Sequence, residues 1–380
     1  MKRGIALFLC IWMVCSSVVS AEEVEVSAPS AILMKASSGQ ILYEKDADVK
    51  RAPASVTKIM TLLLIFDDLE NGKISLEDEV TTSEHAASMG GSQVYLEPGE
   101  IQTVETLIKC IAVASANDAC VVMSEYISGS ETEFVNQMNE RAKQLGMTNT
   151  HFENCNGLET EGHLTTARDI AIMSRELITK YPKIRDYCMI WQENITHTTR
   201  KGSSEFGLSN TNKLVRHYEY ATGLKTGFTS QAMYCISATG EKDGIEMIAV
   251  LMGAESSTLR NKEAVALLNY GFGKCQRYEP EMEILDPIPV LKGQEKFVPV
   301  EMKEQFTYID VTGADLSQIE KERVIFEIEA PVKTGDKVGE VRYCLQGKQI
   351  GTVDIVATLD VKKMTYAYSF EKVLEYYFTL

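Results

Sequence analysis

The chain has 380 residues, of which 44% are hydrophobic and 24% are charged, a composition typical of a folded protein of two or three domains. These values exclude disordered, collagen-like and coiled-coil architectures. The formal net charge of -16 argues against a surface that follows nucleic-acid phosphates, so we expect no nucleic-acid partner.

Residues 1–21 have the pattern of a secretory signal peptide. Lys2 and Arg3 form a basic start, residues 5–14 are an uninterrupted apolar run, and small residues lead up to Ala21. The apolar run is too short to span a membrane. We therefore predict a secreted, extracytoplasmic protein associated with the cell wall or membrane. Cleavage after Ala21 removes two basic residues and changes the net charge from -16 to -18.

The first predicted elements are a hairpin and a helix that contains a candidate nucleophile. Residues 30–46 predict two strands around a Ser-Ser-Gly turn, and Pro53 predicts the first turn of a helix. Ser55 and Lys58 are three positions apart and share one face of that helix. A lysine whose pKa is lowered by apolar neighbours can take the proton of a serine hydroxyl. The alternative is a surface lysine beside a capping serine, because Ser-x-x-Lys is common.

Apolar periodicity predicts four helices in the middle of the chain, over residues 103–114, 119–127, 134–145 and 166–177. A polar break between the first two contains Ser115 and Asn117. Such a break would present both side chains to a cleft. The alternative is an ordinary helix cap formed by Asn117 and Asp118.

The pattern changes to strands after residue 220. Three strands and then a helix are predicted over residues 223–229, 233–239, 246–252 and 259–272. The first strand contains Lys225, Thr226 and Gly227, where glycine permits close approach of a substrate and the two side chains suit a carboxylate. A tight turn is the alternative. Together the hairpins and helices predict a mixed antiparallel sheet covered by helices, an α/β (α+β) domain over residues 22–277.

Residues 278–360 predict a small all-β C-terminal domain, because short alternating segments replace the helical period. The Lys-Thr-Gly tripeptide recurs there at residues 333–335. Pro331 precedes it and no strand surrounds it, so we interpret this copy as a turn.

Residues 361–380 predict an amphipathic tail helix. Its apolar positions fall on one face, at Phe370, Val373, Leu374, Tyr377 and Phe378. The segment is too short and too polar to cross a bilayer, but an aromatic face suits the membrane interface. We expect residues 364–380 to contact the outer face of the cytoplasmic membrane. The alternative is a helix packed on the β domain or on a partner chain.

In chain order, Ser-x-x-Lys from residue 55, Ser-x-Asn from residue 115 and Lys-Thr-Gly from residue 225 resemble the three motifs of the penicillin-interacting serine enzymes. The segments around them, with residues 145–152 and 165–169, are similar to those of low-molecular-mass penicillin-binding proteins, the D-alanyl-D-alanine carboxypeptidases. The resemblance extends from about residue 28 to 360. It implies the penicillin-binding/β-lactamase-like transpeptidase fold followed by a small β domain.

The resemblance implies catalytic roles at three positions. Ser55 would attack the carbonyl between the two D-alanines of a peptidoglycan pentapeptide stem and form an acyl-enzyme. Lys58 would accept the serine proton, and Ser115 would pass a proton to the leaving D-alanine. β-Lactam antibiotics would inhibit the enzyme as slow acyl-enzymes. Neither a metal nor a cofactor is expected.

The resemblance also implies a substrate-binding set, namely Asn117, Lys225, Thr226, Gly227 and Phe228. Asn117 would bind the amide carbonyl, Lys225 would keep the proton network charged, and Thr226 would hold the terminal carboxylate. The backbone N–H groups of Ser55 and Phe228 would form the oxyanion hole.

One position departs from the pattern, and several functions remain open. Glu255 stands near the place where some relatives have an arginine, and the nearest arginine is Arg260, so carboxylate recognition would rest on the Lys-Thr-Gly strand. A β-lactamase or a D,D-endopeptidase of the same fold is an alternative, as is an inactive cell-wall-binding module. Glu159 does not match the deacylating glutamate of class A β-lactamases and is interpreted as loop surface.

Overall fold

The computed structural model describes residues 24–378. The predicted signal peptide lies outside the described residues, as does the end of the tail beyond residue 378. The strands of the first part of the chain are β1 (Ser30–Lys35), β2 (Ile41–Lys45), β3 (Glu79–Thr81), β4 (Ile101–Thr103), β5 (Gln192–Thr199), β6 (Gly202–Ser209), β7 (Ala221–Thr229), β8 (Met233–Lys242) and β9 (Ile245–Ala254).

Nine helices accompany these strands in the part of the chain that the structure describes. They are α1 (Lys58–Glu70), α2 (Glu84–Ala87), α3 (Val104–Ala112), α4 (Asn117–Ser128), α5 (Glu131–Gln144), α6 (Ala167–Lys180), α7 (Ile184–Cys188), α8 (Leu214–His217) and α9 (Ser257–Lys274). A short 3-10 turn, Ala54–Thr57, directly precedes α1.

The central sheet has five strands in the order β2-β1-β9-β8-β7, and every pairing in it is antiparallel. Side chains of β1 alternate between two cores, as a strand covered on both faces requires. Ile32 and Met34 pack in the core formed with α1, α3, α4 and α6, whereas Ala31 and Leu33 pack in the core formed with α9. The predicted sheet covered by helices is therefore present.

The C-terminal part is built from strands and ends in one helix. Its elements are β10 (Gln276–Tyr278), β11 (Ile288–Pro289), β12 (Phe297–Val298), β13 (Val300–Met302), β14 (Tyr308–Asp310), β15 (Ile319–Ile325), β16 (Lys337–Leu345), β17 (Lys348–Ala357) and α10 (Tyr366–Phe378). Four of the strands form an antiparallel sheet in the order β13-β17-β16-β15 over a core of its own. Phe306 and Tyr343 stack in that core with ring centroids 3.7 Å apart.

The hairpin of β5 and β6 was not predicted from the sequence. Apolar and polar residues do not alternate clearly along its strands. Ile195 and Leu208 are buried, but most of the remaining side chains are polar and exposed. A strand without an apolar face gives no period-two signal. The predicted strand at 324–328 also differs, since β15 ends at Ile325.

The tail helix α10 has no buried residue. Tyr366 is 98% exposed and Phe378 is 86% exposed, so the helix is not packed on the β domain. Among the described residues, no helix is both long enough and apolar enough to cross a membrane.

Candidate active site

The side chains of Ser55 and Lys58 meet at the start of the first helix. Ser55 lies in the 3-10 turn Ala54–Thr57, and Lys58 is the first residue of α1. The Lys58 Nζ atom lies 3.0 Å from Ser55 Oγ. It also donates to Asn117 Oδ1 and to the Asn156 carbonyl, both at 2.6 Å. The lysine is therefore held against the hydroxyl by two neutral acceptors.

Burial disfavours the charged form of Lys58. The side chain is fully buried, and Ile59 and Leu62 beside it are buried too. Desolvation disfavours an ammonium ion, so burial lowers the pKa of Lys58 below its ordinary value. In its neutral form this amine can accept a proton from a hydroxyl at 3.0 Å.

Ser115 and Lys225 form a second pair next to the first. Ser115 lies between α3 and α4 with a positive φ of 62°, and Lys225 lies on β7. Lys225 Nζ donates to Ser115 Oγ at 2.9 Å and to the carbonyl of Thr226 at 3.0 Å. Lys225 is buried, and this burial, together with the positive charge of Lys58, lowers its pKa to about 7. The tight-turn interpretation of this tripeptide is wrong, because it lies in a paired strand.

Asn117 links the Ser-x-Asn motif to Lys58. It is the first residue of α4, and its side chain does not cap that helix. Asn117 Nδ2 donates to the Gly90 carbonyl at 2.7 Å, which turns Oδ1 toward Lys58. The cap interpretation is therefore wrong for Asn117, and the three motifs lie in one hydrogen-bonded cluster.

Ser55 lies between two glycines that allow the backbone to approach closely. A Cβ atom on Gly227 of β7 would stand 2.9 Å from the Ser55 nitrogen. A Cβ on Gly157, whose φ is +88°, would stand 1.9 Å from the Ala54 carbonyl oxygen. Both positions require glycine for steric reasons.

The outer end of β7 forms the rim of the site. Thr226 Oγ1 donates to Thr211 Oγ1 at 2.9 Å, which fixes the threonine hydroxyl. Phe228 is 54% exposed, and its ring packs 4.4 Å from that of Tyr234. An exposed aromatic side chain beside a buried polar cluster can offer an apolar surface to a ligand.

Sequence reasoning missed the contributions of the loop over residues 153–165. This loop supplies the Asn156 carbonyl to Lys58 and places Gly157 against the Ala54–Ser55 peptide. It also contains His163, which contacts Thr57 in the motif itself. The Asn-Gly pair at 156–157 is a turn signal that could have indicated a tight loop there.

Three charged residues considered in the sequence lie at the edges of this region. Arg260 is buried at the start of α9, and its Nη1 atom lies 3.4 Å from the Cys235 carbonyl, on the residue paired with Gly227. Glu255 is exposed. Glu159 is also exposed, and its carboxylate accepts the Gln231 N–H at 2.7 Å.

The second Lys-Thr-Gly copy is a turn, as predicted. Lys333 N–H donates to Asp336 at 2.8 Å, and Thr334 donates to Asp360 at 3.0 Å. Across residues 24–378, seven cysteines are free, and no group of three or more acidic, histidine or cysteine side chains could hold a metal ion.

Two family models match this chain. Residues 17–256 match the D-alanyl-D-alanine carboxypeptidase family of peptidases, and residues 281–363 match the C-terminal domain of penicillin-binding protein 5. Among curated proteins, D-alanyl-D-alanine carboxypeptidase DacF of Bacillus subtilis is 40% identical over 344 residues, which are 90% of this chain and 87% of the relative. DacC of Escherichia coli is 30% identical, over 95% of this chain and 92% of its own.

Solved structures show the same similarity. Penicillin-binding protein 5 of Haemophilus influenzae superposes with a TM-score of 0.66 at 28% identity, over 89% of this chain and 98% of its own. The Streptomyces K15 DD-transpeptidase gives 0.62 at 26% identity, over 66% of this chain and 98% of its own. These matches confirm the predicted transpeptidase fold with an added C-terminal β domain.

Proposed function

Because this chain belongs to the D-alanyl-D-alanine carboxypeptidase family, we propose that Ser55 is its acylating nucleophile and Lys58 the base that activates it. The protein is a low-molecular-mass penicillin-binding protein, a serine carboxypeptidase that acts on peptidoglycan. The assignment of these residues rests on the 3.0 Å contact between Lys58 Nζ and Ser55 Oγ. The lysine is buried and no carboxylate among the described residues is hydrogen-bonded to it, so its surroundings favour the neutral amine that a base must be.

Acylation begins with proton transfer from Ser55 Oγ to the neutral amine of Lys58. The oxygen then attacks the carbonyl carbon between the two D-alanines. Negative charge develops on the carbonyl oxygen, and the backbone N–H groups of Ser55 and Phe228 stabilise it. The close approach of β7 at Gly227 supports this pairing of donors, since it brings strand and nucleophile within van der Waals contact.

Collapse of the tetrahedral intermediate breaks the C–N bond and releases D-alanine. The leaving amine takes a proton from Ser115 Oγ, and Lys225 Nζ at 2.9 Å replaces that proton. The carboxylate of the leaving D-alanine binds at Thr226, near the positive charge of Lys225. Asn117 binds the substrate amide carbonyl. Water then attacks the acyl-enzyme and releases the peptide shortened by one residue.

A β-lactam follows the same acylation route, but its leaving group stays attached to the acyl part. We therefore propose that penicillins form long-lived adducts on Ser55. The position of Glu159 supports slow release over β-lactamase activity. Its carboxylate is exposed and accepts the Gln231 N–H, and this bond contributes most to lowering its pKa. Such a group is a weak base for activating a hydrolytic water.

Mass spectrometry of a peptidoglycan pentapeptide incubated with the enzyme tests the proposed function. We expect loss of one D-alanine, and Ser55→Ala should reduce both this reaction and labelling by fluorescent penicillin by about 10⁴-fold. Ser38→Ala, an exposed serine in the β1–β2 turn, is the matched control and should behave as wild type. Substantial labelling of Ser55→Ala would place the nucleophile elsewhere. Cleavage of a crosslinked dimer instead of the pentapeptide would indicate an endopeptidase.

We also propose that the mature protein is extracytoplasmic and that α10 lies in the interface of the membrane. The exposure of Tyr366, Phe370, Tyr377 and Phe378 supports this, because four aromatic side chains on one short helix are costly to leave in water. Deletion of residues 364–380 should release the mature enzyme from liposomes and leave its activity on a soluble pentapeptide unchanged.

A point variant provides the matched control for this deletion. Leu374→Asp places a charge on the apolar face and should weaken liposome binding at least about tenfold. Glu371→Gln, on the polar face, should bind zwitterionic liposomes as wild type. Absence of liposome binding by the full-length mature protein, or unfolding of the truncated one, would contradict the proposal.

A further inference from the structure

His163 forms a buried hydrogen-bond chain that leads to the backbone of the nucleophile. Its Nε2 atom lies 2.8 Å from Thr57 Oγ1, and Thr57 Oγ1 lies 2.9 Å from the Ala54 carbonyl oxygen. On its other side, His163 Nδ1 lies 3.0 Å from the backbone nitrogen of Glu153. His163 and Thr57 are both buried.

The direction of each hydrogen bond in this series follows from the backbone groups at its two ends, the Glu153 N–H and the Ala54 carbonyl. The Glu153 N–H can only donate, so His163 Nδ1 is the acceptor and a neutral ring has its proton on Nε2. Nε2–H then donates to Thr57 Oγ1. The threonine proton in turn goes to the Ala54 carbonyl, which can only accept. Burial lowers the pKa of His163 to about 4, in agreement with a neutral ring at physiological pH.

The position of the Ala54 carbonyl, the last acceptor in this series, determines where the Ser55 N–H points. Ala54 has an unfavourable positive φ of 49° for a residue with a Cβ, so its conformation needs support from its surroundings. In a trans peptide the C=O of Ala54 and the N–H of Ser55 point in opposite directions. The carbonyl is held on the side of Thr57 and Gly157, and the Ser55 nitrogen accordingly faces β7 at Gly227.

We propose that His163 is a positioning residue for the oxyanion hole, which acts through Thr57 on the Ala54–Ser55 peptide and aims the Ser55 N–H at the reacting carbonyl. This inference rests on the proposed role of Ser55. The donor acts mainly in the transition state, so its misdirection lowers the acylation rate more than it weakens substrate binding.

Replacement of the Thr57 hydroxyl tests the proposal. Thr57→Val keeps the shape but removes the donor to Ala54, and we expect kcat and the rate of penicillin acylation to fall about 10- to 100-fold, with KM changed less than about twofold. Thr57→Ser keeps the hydroxyl and should restore both rates to within about threefold of wild type. His163→Leu should reproduce Thr57→Val, and His163→Gln, with a donor and an acceptor, should recover part of the loss.

Infrared spectroscopy of the penicilloyl-enzyme separates positioning from general stability. Hydrogen bonds in the oxyanion hole polarise the acyl carbonyl, so its stretching band should move to higher wavenumber in Thr57→Val and His163→Leu but not in Thr57→Ser. His151→Gln, an exposed histidine near the same loop, is the control and should leave rates and band unchanged.

The outcomes for the two proposals are distinct. If Ser55→Ala is still labelled, the nucleophile assignment fails. If Ser55→Ala is inactive while folded Thr57→Val acylates at the wild-type rate with an unmoved carbonyl band, only the positioning role is overturned. A lowered melting temperature with unchanged kcat would also overturn it. If Thr57→Val does not fold, a wild-type acylation rate and an unmoved carbonyl band in folded His163→Leu would overturn the positioning role.

Discussion

Lys58 and Lys225 are two buried amines with hydrogen-bond partners in the same motif, since Asn117 accepts from Lys58 and Ser115 accepts from Lys225. Lys58 contacts Ser55 and two neutral oxygens, and Lys225 contacts Ser115 and the Thr226 carbonyl. Burial lowers the pKa of each, and the charge of Lys58 lowers that of Lys225 further. Two ammonium ions in this space repel each other, so the pair favours a state with one positive charge. We assign that charge to Lys225, because the role proposed for Lys58 as a base requires a neutral amine.

This assignment predicts the alkaline side of the pH profile. The pKa of Lys225 is lowered to about 7 when Lys58 is charged, and a neutral Lys58 removes that repulsion, so the free enzyme should lose the Lys225 proton above pH 7 and kcat/KM for a pentapeptide should fall there. A bound carboxylate favours the ammonium ion, and the decline in kcat should therefore occur at still higher pH. Arginine keeps its charge, so in Lys225→Arg the residual activity should not show this alkaline decline. A decline at the same pH in that variant would disprove the assignment.

The two Lys-Thr-Gly copies provide a matched pair of variants. Lys225→Ala removes the partner of Ser115 and should lower kcat/KM by at least about 10²-fold. Lys333→Ala removes a side chain from a turn and should leave kinetics unchanged. Steady-state assays on the same pentapeptide compare them, and equal losses from both would refute the interpretation of the second copy as structural.

The lowered pKa of His163 predicts how the stability of the fold depends on pH. An unfolded chain binds its proton near pH 6.5, but the folded protein does so only near pH 4. Between these values the unfolded state binds more protons, so stability is lost as pH falls from 6.5 to 4, by up to about 3 kcal/mol from this group. Urea unfolding at pH 7 and pH 4.5 measures the loss. His163→Gln should lose less stability over that interval, and an equal loss would contradict a buried neutral histidine.

At the scale of elements, the loop over residues 153–165 is as important to the site as the helices that border it. It supplies an acceptor to Lys58 and places Gly157 against the Ala54 carbonyl. It also contains His163, which connects it to the 3-10 turn of the nucleophile. The loop therefore packs against one side of the 3-10 turn and β7 packs against the other, so both determine its position.

Two glycines with nearly equal φ make it possible to distinguish the effect of backbone strain from the effect of a steric collision when each is replaced by alanine. Gly157 has φ +88° and Gly335 has φ +89°, but a Cβ on Gly157 would stand 1.9 Å from the Ala54 oxygen, whereas one on Gly335 meets nothing within 4 Å. Gly335→Ala should lower stability by about 1 kcal/mol and leave penicillin acylation unchanged. Gly157→Ala should in addition reduce acylation at least about tenfold, because the turn must move. Equal acylation by both variants would show that the loop does not position Ser55.

Local pattern predicts some parts of this molecule and cannot predict others. The shared face of Ser55 and Lys58 follows from their spacing on one helical turn, and the exposed face of α10 follows in the same way. The contact between Ser115 and Lys225 spans 110 positions and depends on sheet topology. The sequence indicated it only through resemblance to a family. The β5–β6 hairpin has polar side chains on both faces, and its strands leave no period to detect.

At the scale of the whole molecule, charge opposes the proposed membrane contact. The mature chain would have a net charge of -18, and the polar face of α10 contains Glu371 and Glu375 beside Lys372. Apolar burial must therefore provide the attraction while electrostatics opposes it on an anionic surface.

This opposition predicts an unusual salt dependence. Cosedimentation with vesicles that contain anionic lipid should increase between about 0.05 M and 0.5 M salt, because screening weakens repulsion and leaves apolar burial intact. Binding to zwitterionic vesicles should change little, and a protein without residues 364–380 should not bind either kind. Binding that decreases with salt would show instead that a cationic surface makes the contact.

The two glycines beside Ser55 also limit how this enzyme could acquire drug resistance by mutation. A target often escapes a drug when a larger side chain narrows the binding site, but Gly227 and Gly157 admit no Cβ without displacing the nucleophile. Selection by a β-lactam would then act on exposed neighbours such as Phe228 and Leu158, which can change without moving the backbone of Ser55. Escape variants should accordingly accumulate at the rim of the site, and the positions next to the serine should stay unchanged.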